Sequence, residues 1–307
     1  MTRGTLLSRY RALLKPLPIE GLPDLLLFRP IAYPIVQVLK KFPVTPDQVS
    51  YSAISTGLLS GFCFALGTRL SFALAGLFYA LTASLDCADG MLARLKRSGT
   101  PLGRVIDGAV DYTNSVAILT GLAIGVARAG FYPLFEAWAV TAVAGISLGV
   151  HCIVVDHYRC QYAFQVWGSR SSVFDEIRLQ EESLKALRAE GGHRLLRFVL
   201  TASLGYHRLQ ARIAPPGRRF DARTYARLNV VALRAWQMIE LSAHIVVLIV
   251  AALLFKPRIF YFYTIVVANL WLLVLAPIQY VLNRRVAALS AALDPPTDGQ
   301  ALSDGIS

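Results

Sequence analysis

Apolar residues fall into long runs along this chain, and stretches rich in charge separate them. About six runs are close to twenty residues long, at residues 49–70, 72–92, 105–126, 131–155, 230–255 and 259–282. That length suits a helix that crosses the hydrocarbon core of a bilayer. The runs lack the two-residue alternation of an outer-membrane barrel, and a lipid-exposed backbone must satisfy its hydrogen bonds within each segment. The pattern therefore predicts an all-α membrane protein with about six transmembrane helices.

The segment before the first run has a different character. Residues 27–42, "LFRPIAYPIVQVLKKF", are too few to cross a bilayer and are interrupted by Pro30 and Pro34. They predict an N-terminal amphipathic helix that lies in the membrane interface. In the "TPDQVS" that follows, Thr45 is suited to cap a helix and Pro46 to occupy its first turn. The first membrane helix should therefore begin at residue 46.

Composition agrees with a membrane protein. Hydrophobic residues make up 55% of the 307 residues and charged residues only 16%, whereas a soluble domain has about a quarter charged. The net charge is +12, but the basic residues adjoin the apolar runs. Attraction to anionic membrane lipids and a topology signal explain them better than nucleic-acid binding, which we do not expect.

The basic residues also predict an orientation. Lysines and arginines are concentrated before the first run, between the second and third, and after the sixth. Positive residues accumulate on the cytoplasmic side. We therefore expect a multi-pass protein of the inner membrane, with both termini and the loop between the second and third helices in the cytoplasm.

Five regions follow from this reading. The middle one contains "FDEIRLQEESLKALRAE", where opposite charges four residues apart are typical of a helix. The regions are a cytoplasmic N-terminus with the interfacial helix (1–45), four membrane helices (46–155), a cytoplasmic helical insertion (156–227), two further membrane helices (228–286) and a polar C-terminal tail (287–307).

Acidic residues at the end of the second run share one helical face. Asp86 and Asp89 are three residues apart, and Gly90 and Ala93 follow in the same phase.

The third run repeats this arrangement. Gly103, Asp107 and Asp111 are spaced by four residues, so they also share one face. The turn "LKRSGTP" joins the two runs. Two neighbouring helices should therefore each present a pair of carboxylates beside a glycine, at the cytoplasmic surface.

Four carboxylates cannot stay close together and ionised without cations between them. Divalent ions that prefer oxygen ligands, Mg²⁺ or Mn²⁺, are the natural compensation. The alternative is salt bridges to Arg94, Lys96 and Arg104. Salt bridges explain any two of the aspartates well, but they do not explain four aspartates in phase with glycines.

These residues resemble a known family signature. The pattern Asp86-x2-Asp89-Gly90-x2-Ala93-Arg94-x8-Gly103-x3-Asp107-x3-Asp111 is similar at every fixed position to that of the CDP-alcohol phosphotransferase (CDP-alcohol phosphatidyltransferase) family. The expected architecture resembles the family too. The sequence departs from the family in two places: Asp47 stands where asparagine is usual, and the insertion is longer than in the family core.

The resemblance implies a reaction and a site. Family members break the diphosphate of a CDP-linked donor, transfer the phosphoryl-linked group to an acceptor hydroxyl, and release CMP. By resemblance, the four aspartates hold two Mg²⁺ or Mn²⁺ ions and Asp111 is also the general base. Gly90, Ala93, Arg94 and Gly103 then line the site for cytidine diphosphate. The resemblance also implies a homodimer.

The acceptor is less defined by the sequence. A phosphorylated polyol, such as inositol phosphate or glycerol phosphate, needs basic residues near Asp111. Arg159 and Arg234 are candidates, although both positions also suit ordinary positive-inside flanks. Glu240 and His244 are four residues apart in an apolar run, where ionisable groups are functional candidates. They either line the acceptor cavity or pair with each other to join helices.

Several functions remain open at this level. The leading hypothesis is a membrane transferase of phospholipid biosynthesis that uses CDP-diacylglycerol as donor. A transferase with a soluble CDP-alcohol donor and a lipid acceptor is the first alternative. A divalent-cation transporter is another, but transport sites usually lie near the membrane midplane, whereas these aspartates lie at helix ends. A membrane anchor with a decayed site is opposed by the intact motif.

Overall fold

The computed structural model describes residues 6–98, 101–168 and 220–293, together with scattered positions between 177 and 208. Side chains are described within the three long ranges except at 6, 101–107, 109 and 291–293. All regular structure in these parts of the chain is helical, which confirms the predicted all-α class.

The helices are labelled in chain order. They are α1 (Leu6–Arg11), α2 (Arg29–Leu39), α3 (Pro46–Ala65), α4 (Arg69–Lys96), α5 (Pro101–Arg128), α6 (Leu134–Trp167), α7 (Ala222–Trp236), α8 (Leu241–Leu253), α9 (Arg258–Tyr261) and α10 (Ala268–Leu293). Short 3₁₀ turns occur at Leu17–Ile19 and Gln237–Ile239, and π-helical segments at Asp24–Phe28 and Phe262–Val267.

Five helical segments in the described chain are long and apolar enough to cross a membrane. They are Arg69–Lys96, Val110–Arg128, Leu134–Trp167, Ala222–Leu253 and Arg258–Ser290. The first predicted run, 49–70, forms α3, which is rich in serine and glycine and is not one of the five. It ends at Ala65, and Gly67, with a φ of 76°, turns the chain into α4. The predicted count of about six corresponds to these five segments together with α3.

The start of α3 is capped as predicted. The Thr45 hydroxyl accepts a hydrogen bond from the Gln48 backbone amide (3.3 Å), and the Gln48 side-chain oxygen accepts one from the Thr45 amide (3.0 Å). Pro46 occupies the first position of the helix. This reciprocal arrangement satisfies two amides that the helix itself leaves without partners.

Helix α3 packs along both α4 and α5, and its contact with α5 is made through glycines. A methyl group added to Gly121 would lie 1.9 Å from the Gly61 carbonyl oxygen, and one added to Gly125 would lie 2.0 Å from that of Phe64. The two backbones are therefore in direct contact. Small residues four apart allow this close approach in membrane helices.

The N-terminal helix α2 falls within the predicted interfacial segment. It buries Ala32 and Val36 against α4. Ile31 and Val38 remain exposed on its other side, as expected for a helix that contacts lipid. The location of α2 in the interface remains a prediction.

The membrane helices α6 and α10 continue past the ends of the predicted runs. Helix α6 extends unbroken through the predicted division at residue 155 and ends at Trp167. Its last turns share a buried cluster with α7 and α10, formed by Tyr162, Tyr225, Leu233 and Val286. In the predicted insertion, Arg178 and Glu182 form an ion pair four residues apart (3.3 Å), as the charge pattern indicates.

The glycine contact gives a test of the packing. We expect Gly121→Ala to destabilise the bundle by about 1–3 kcal/mol, because the added methyl forces α3 and α5 apart. The measurement is thermal unfolding in detergent. Gly149→Ala is the matched control, since a methyl there meets no atom within 4 Å. Equal melting temperatures for the two variants would contradict the packing described here.

Candidate active site

The first pair of aspartates lies in the C-terminal half of α4, about two to three turns before its end at Lys96. Asp89 is buried, with 6% of its surface exposed, and Asp86 is half-buried. The Asp89 Oδ2 accepts a hydrogen bond of 2.6 Å from the hydroxyl of Ser50 on α3. Sequence reasoning missed Ser50, and its only signal was a serine one turn inside the capped start of α3.

The second group lies on α5. Helical backbone from residue 101 onward places positions 103, 107 and 111 on one face. The side chain of Asp107 and the surroundings of Gly103 lie outside what is described. Asp111 is half-buried and lies within electrostatic range of Tyr79 on α4 and Cys152 on α6. Asp111 therefore lies in the interior, near both helices.

The donor set suits a divalent ion in its chemistry. Carboxylate oxygens are the ligands that Mg²⁺ and Mn²⁺ prefer. Among the described side chains, no group of three His, Cys, Asp or Glu residues is arranged to hold a metal ion. Asp107, the fourth member of the predicted set, is not among those side chains. The four-carboxylate metal site therefore remains a prediction.

Two of the cations proposed to neutralise the aspartates bind backbone carbonyls instead. Arg94 Nε donates to the carbonyl of Leu13 (2.6 Å), and Lys96 Nζ donates to that of Val44 (2.6 Å). The third candidate cation, Arg104, lies outside the described side chains. Two of the three cations proposed for salt bridges therefore donate to backbone carbonyls and not to the aspartates.

Arg94 has one hydrogen-bond donor that is not satisfied. Its Nη2 atom is buried and has no hydrogen-bond partner. Gly90 lies directly beneath the guanidinium, since a methyl added there would lie 3.6 Å from Nη2. Ala93 is also small and half-buried. A buried donor without an acceptor is costly, so this position favours an anionic ligand.

Arg159 and Glu240, both proposed for the acceptor, form an ion pair. Arg159 Nη2 lies 2.5 Å from Glu240 Oε2, and the Glu240 side chain is 3% exposed while that of Arg159 is 26% exposed. Cys152, two turns before Arg159 on α6, lies within electrostatic range of Asp111, Arg159 and Glu240. Asp111 and the pair are therefore both close enough to Cys152 for their charges to act on it.

The suggested pairing of Glu240 with His244 is replaced by other contacts. The ring of His244 stacks on His151, with a nitrogen–nitrogen distance of 3.2 Å, and its Nδ1 is 3.1 Å from the Thr264 hydroxyl. The physical reason is a helix break. Glu240 has extended backbone (ψ 170°) and precedes the first residue of α8, so its side chain does not share the helical face of His244.

Arg234 contacts the N-terminal segment. Its guanidinium donates to the carbonyls of Leu17 (2.6 Å) and Glu20 (2.9 Å) and to the side chain of Gln237 (2.9 Å). Sequence reasoning assigned Arg234 to the acceptor and did not anticipate these partners. Leu17 and Glu20 are more than 200 positions from Arg234 in the sequence, so no local pattern reveals these contacts.

A buried ion pair anchors the same segment. Glu20 Oε1 lies 2.8 Å from Arg29 Nη2, and both residues are less than 5% exposed. Arg29 also donates to the carbonyl of Cys87, which lies between Asp86 and Asp89 on α4 (3.3 Å). The N-terminal segment is thereby fixed against the helix that carries the first aspartate pair.

Ser50 offers a test of how Asp89 is held. We expect Ser50→Ala to destabilise the fold by about 1.5–3 kcal/mol, because a buried carboxylate loses a hydrogen bond. Ser52→Ala is the control, since that hydroxyl is exposed and donates only to its own helix. Denaturant unfolding of both variants measures the difference. A Ser50→Ala protein as stable as Ser52→Ala would show that this hydrogen bond does not hold Asp89.

Comparison with known proteins places this geometry in a family. Residues 44–174 match the family CDP-alcohol phosphatidyltransferase. Archaetidylinositol phosphate synthase of Pyrococcus horikoshii is 32% identical over 91 residues, which cover 30% of this chain and 47% of that protein. The bifunctional IPC transferase and DIPP synthase of Rubrobacter xylanophilus is 36% identical over 95 residues, covering 30% of this chain and 21% of that protein.

The chain spans less than half the length of either of these relatives. The matched region contains α3 to α6 and every position of the aspartate motif. Residues 44–174 are therefore a CDP-alcohol phosphatidyltransferase domain.

Proposed function

We propose that this protein transfers a phosphatidyl group from a CDP-linked lipid, such as CDP-diacylglycerol, to a hydroxyl of a polyol phosphate and releases CMP. The observation that carries the proposal is the position of Arg94 in the matched domain. Its buried Nη2 lacks a hydrogen-bond partner, lies above Gly90, and is within electrostatic range of Asp89. A donor phosphate would supply the missing acceptor.

In this proposal, the four aspartates give the site its capacity to bind divalent ions. Asp86 and Asp89 on α4, and Asp107 and Asp111 on α5, would hold two Mg²⁺ or Mn²⁺ ions. Such ions, when bound, offset the negative charge of a diphosphate. The Ser50 hydroxyl orients the Asp89 carboxylate by its hydrogen bond, and this limits the conformations open to that ligand.

The small residues of the motif then have a role. Gly90, Ala93 and Gly103 leave room for the cytidine diphosphate to approach the two helices, because none carries a side chain beyond Cβ. Arg94 donates to the phosphates. Its Nε remains on the carbonyl of Leu13, which fixes the direction of the guanidinium.

Asp111 acts as the general base in this proposal. A neutral alcohol is a poor nucleophile, and a carboxylate within hydrogen-bond reach accepts its proton as the new bond forms. The acceptor oxygen attacks the phosphorus that carries the lipid group. The bond from that phosphorus to the bridging oxygen breaks, and its electron pair leaves with CMP. The proton of the alcohol ends on Asp111.

Arg159 and Arg234 support a phosphorylated acceptor. Arg159 Nε is buried without a hydrogen-bond partner, so this side chain also has an unsatisfied donor that could bind a phosphate. Arginine suits phosphate through its planar set of donors. One relative is named as a synthase of archaetidylinositol phosphate, and inositol phosphate is therefore the first acceptor to test, followed by glycerol phosphate.

The membrane setting suits a lipid donor and a water-soluble acceptor. The aspartates lie in the half of α4 that precedes its end at Lys96 and in the half of α5 that follows its start at Pro101, and we assign that side to the cytoplasmic face of the inner membrane. A site at this surface admits the polyol phosphate from water while the lipid stays in the bilayer. Homodimerisation and binding of anionic lipids belong to the same proposal.

CMP release tests the reaction directly. Purified protein with Mg²⁺ or Mn²⁺ should release CMP from CDP-diacylglycerol when inositol phosphate or glycerol phosphate is present, and a chelator should abolish the release. We expect Asp111→Asn to slow it by about 10²- to 10⁴-fold, as loss of a general base does.

Asp221→Asn is the matched control, because Asp221 is outside the membrane helices and caps α7 by accepting from Thr224 (2.7 Å). If the protein instead releases CMP from a soluble CDP-alcohol in the presence of a lipid acceptor, the alternative transferase is correct: the donor is water-soluble and the acceptor is the lipid. No CMP release from either donor class would contradict the transferase and favour a transporter or an anchor.

The acceptor arginines make a separate prediction. Arg159→Gln and Arg234→Gln should each raise the KM for the polyol phosphate about tenfold or more, because each removes a charge-assisted hydrogen bond to phosphate. The KM for the CDP-linked donor should stay unchanged. Arg178→Gln is the control, since Arg178 is exposed and pairs only with Glu182 among the described contacts. Unchanged KM values would leave the two arginines with their structural contacts alone.

A further inference from the structure

The membrane segment Ala222–Leu253 is broken beside the two candidate acceptor arginines. Residues Gln237–Ile239 form a 3₁₀ turn between α7 and α8, and Glu240 follows with extended backbone. The break brings one side chain to each acceptor arginine. Gln237 accepts from Arg234 (2.9 Å), and Glu240 lies against Arg159 (2.5 Å).

The two side chains of the Glu240–Arg159 pair differ in how much of their surface is exposed. The Glu240 side chain is 3% exposed, whereas Arg159 is 26% exposed. A buried carboxylate needs an opposite charge, and Arg159 supplies it at Glu240 Oε2, while neither Glu240 oxygen has a hydrogen-bond partner. Arg159 has five N–H donors, and only Nη2 lies on Glu240. Its Nε is buried without a partner, which leaves donors for an anion.

The carboxylate of Glu240 occupies space that is left by the absence of a side chain at Gly21. A methyl group added to Gly21 would lie 2.0 Å from Glu240 Oε1 and 2.8 Å from Asp24 Oδ2. The N-terminal segment therefore leaves the space that the carboxylate occupies. Gly21 has no positive φ, so the space rather than the backbone conformation requires glycine there.

The pair and the proposed base lie toward the same side of α6. Cys152 and Arg159 are seven residues apart on α6, so they share one helical face. Cys152 lies within electrostatic range of Asp111, Arg159 and Glu240. The arginine that Glu240 holds is thus on the side of α6 that faces Asp111.

We propose that Glu240 is a positioning residue that fixes Arg159 to receive the phosphate of the acceptor, in the space left by Gly21. This role rests on the proposed function. Glu240 itself does not contact the acceptor, because its carboxylate is buried and would repel a phosphate. The competing role is a structural ion pair that only joins α6 to the break between α7 and α8.

Steady-state kinetics of two variants separate these roles. Glu240→Gln removes the charge that holds Arg159, and Gly21→Ala displaces the carboxylate while keeping its charge. Each should raise the KM for inositol phosphate about tenfold, the effect of one weakened charge-assisted contact. The kcat and the KM for CDP-diacylglycerol should change less than about twofold. Gly21→Ala also serves if Glu240→Gln fails to fold.

A double-mutant cycle adds a readout that a structural role would not produce. Because Glu240 acts through Arg159, adding Glu240→Gln to Arg159→Gln should raise the KM for inositol phosphate no further. Glu136→Gln, at the opposite end of α6, and Gly149→Ala, where a methyl meets no atom within 4 Å, are the matched controls.

The outcomes distinguish this role from the proposed function. A wild type that transfers to inositol phosphate, with an unchanged KM in both variants, overturns the role of Glu240 alone. Additive effects in the cycle would show that Glu240 does not act through Arg159, whereas a lower melting temperature with unchanged KM would leave only the structural ion pair. A wild type that transfers to no polyol phosphate overturns the proposed acceptor, and the role of Glu240 with it.

Discussion

Direct backbone contact between α3 and α5 determines where the candidate site stands. The glycine pairs that allow it leave no room for even one methyl group at Gly121. The same contact lets Asn114, one turn beyond Asp111, donate to the carbonyl of Ala53 on α3 (3.3 Å). Helix α3 also donates a hydrogen bond from the Ser50 hydroxyl to Asp89 on α4. One helix of small residues thereby holds both aspartate-bearing helices.

Buried charge is the second constraint, because a charge in an apolar bundle is stable only with a partner. Glu20 pairs with Arg29, and Glu240 pairs with Arg159. Arg94 meets part of this demand with a backbone carbonyl and leaves one nitrogen unsatisfied. Buried polar atoms nearly always have a hydrogen-bond partner, and a buried donor that lacks one calls for an explanation such as a bound ligand. The unsatisfied nitrogens of Arg94 and Arg159 are thus more informative than the ion pairs.

Local periodicity predicted what depends on neighbouring residues. The capped start of α3 at Thr45 and the shared face of Asp86 and Asp89 both follow from spacings of three or four residues. Long-range contacts were not predictable in this way. Hydropathy treats 49–70 as one more membrane helix and gives no sign that α3 packs between two others. The spacing of Glu240 and His244 assumed a continuous helix, and the break at Gln237–Ile239 separates them.

The central claim is that carboxylates from α4 and α5 converge to bind paired divalent ions beside a nucleotide diphosphate. Counting bound Mn²⁺ by electron paramagnetic resonance, with CDP present, tests it without turnover. The account predicts two ions per chain in the wild type and a loss of bound Mn²⁺ in Asp89→Asn and in Asp107→Asn. A wild type that binds no Mn²⁺, or variants that bind as many ions as the wild type, would contradict it.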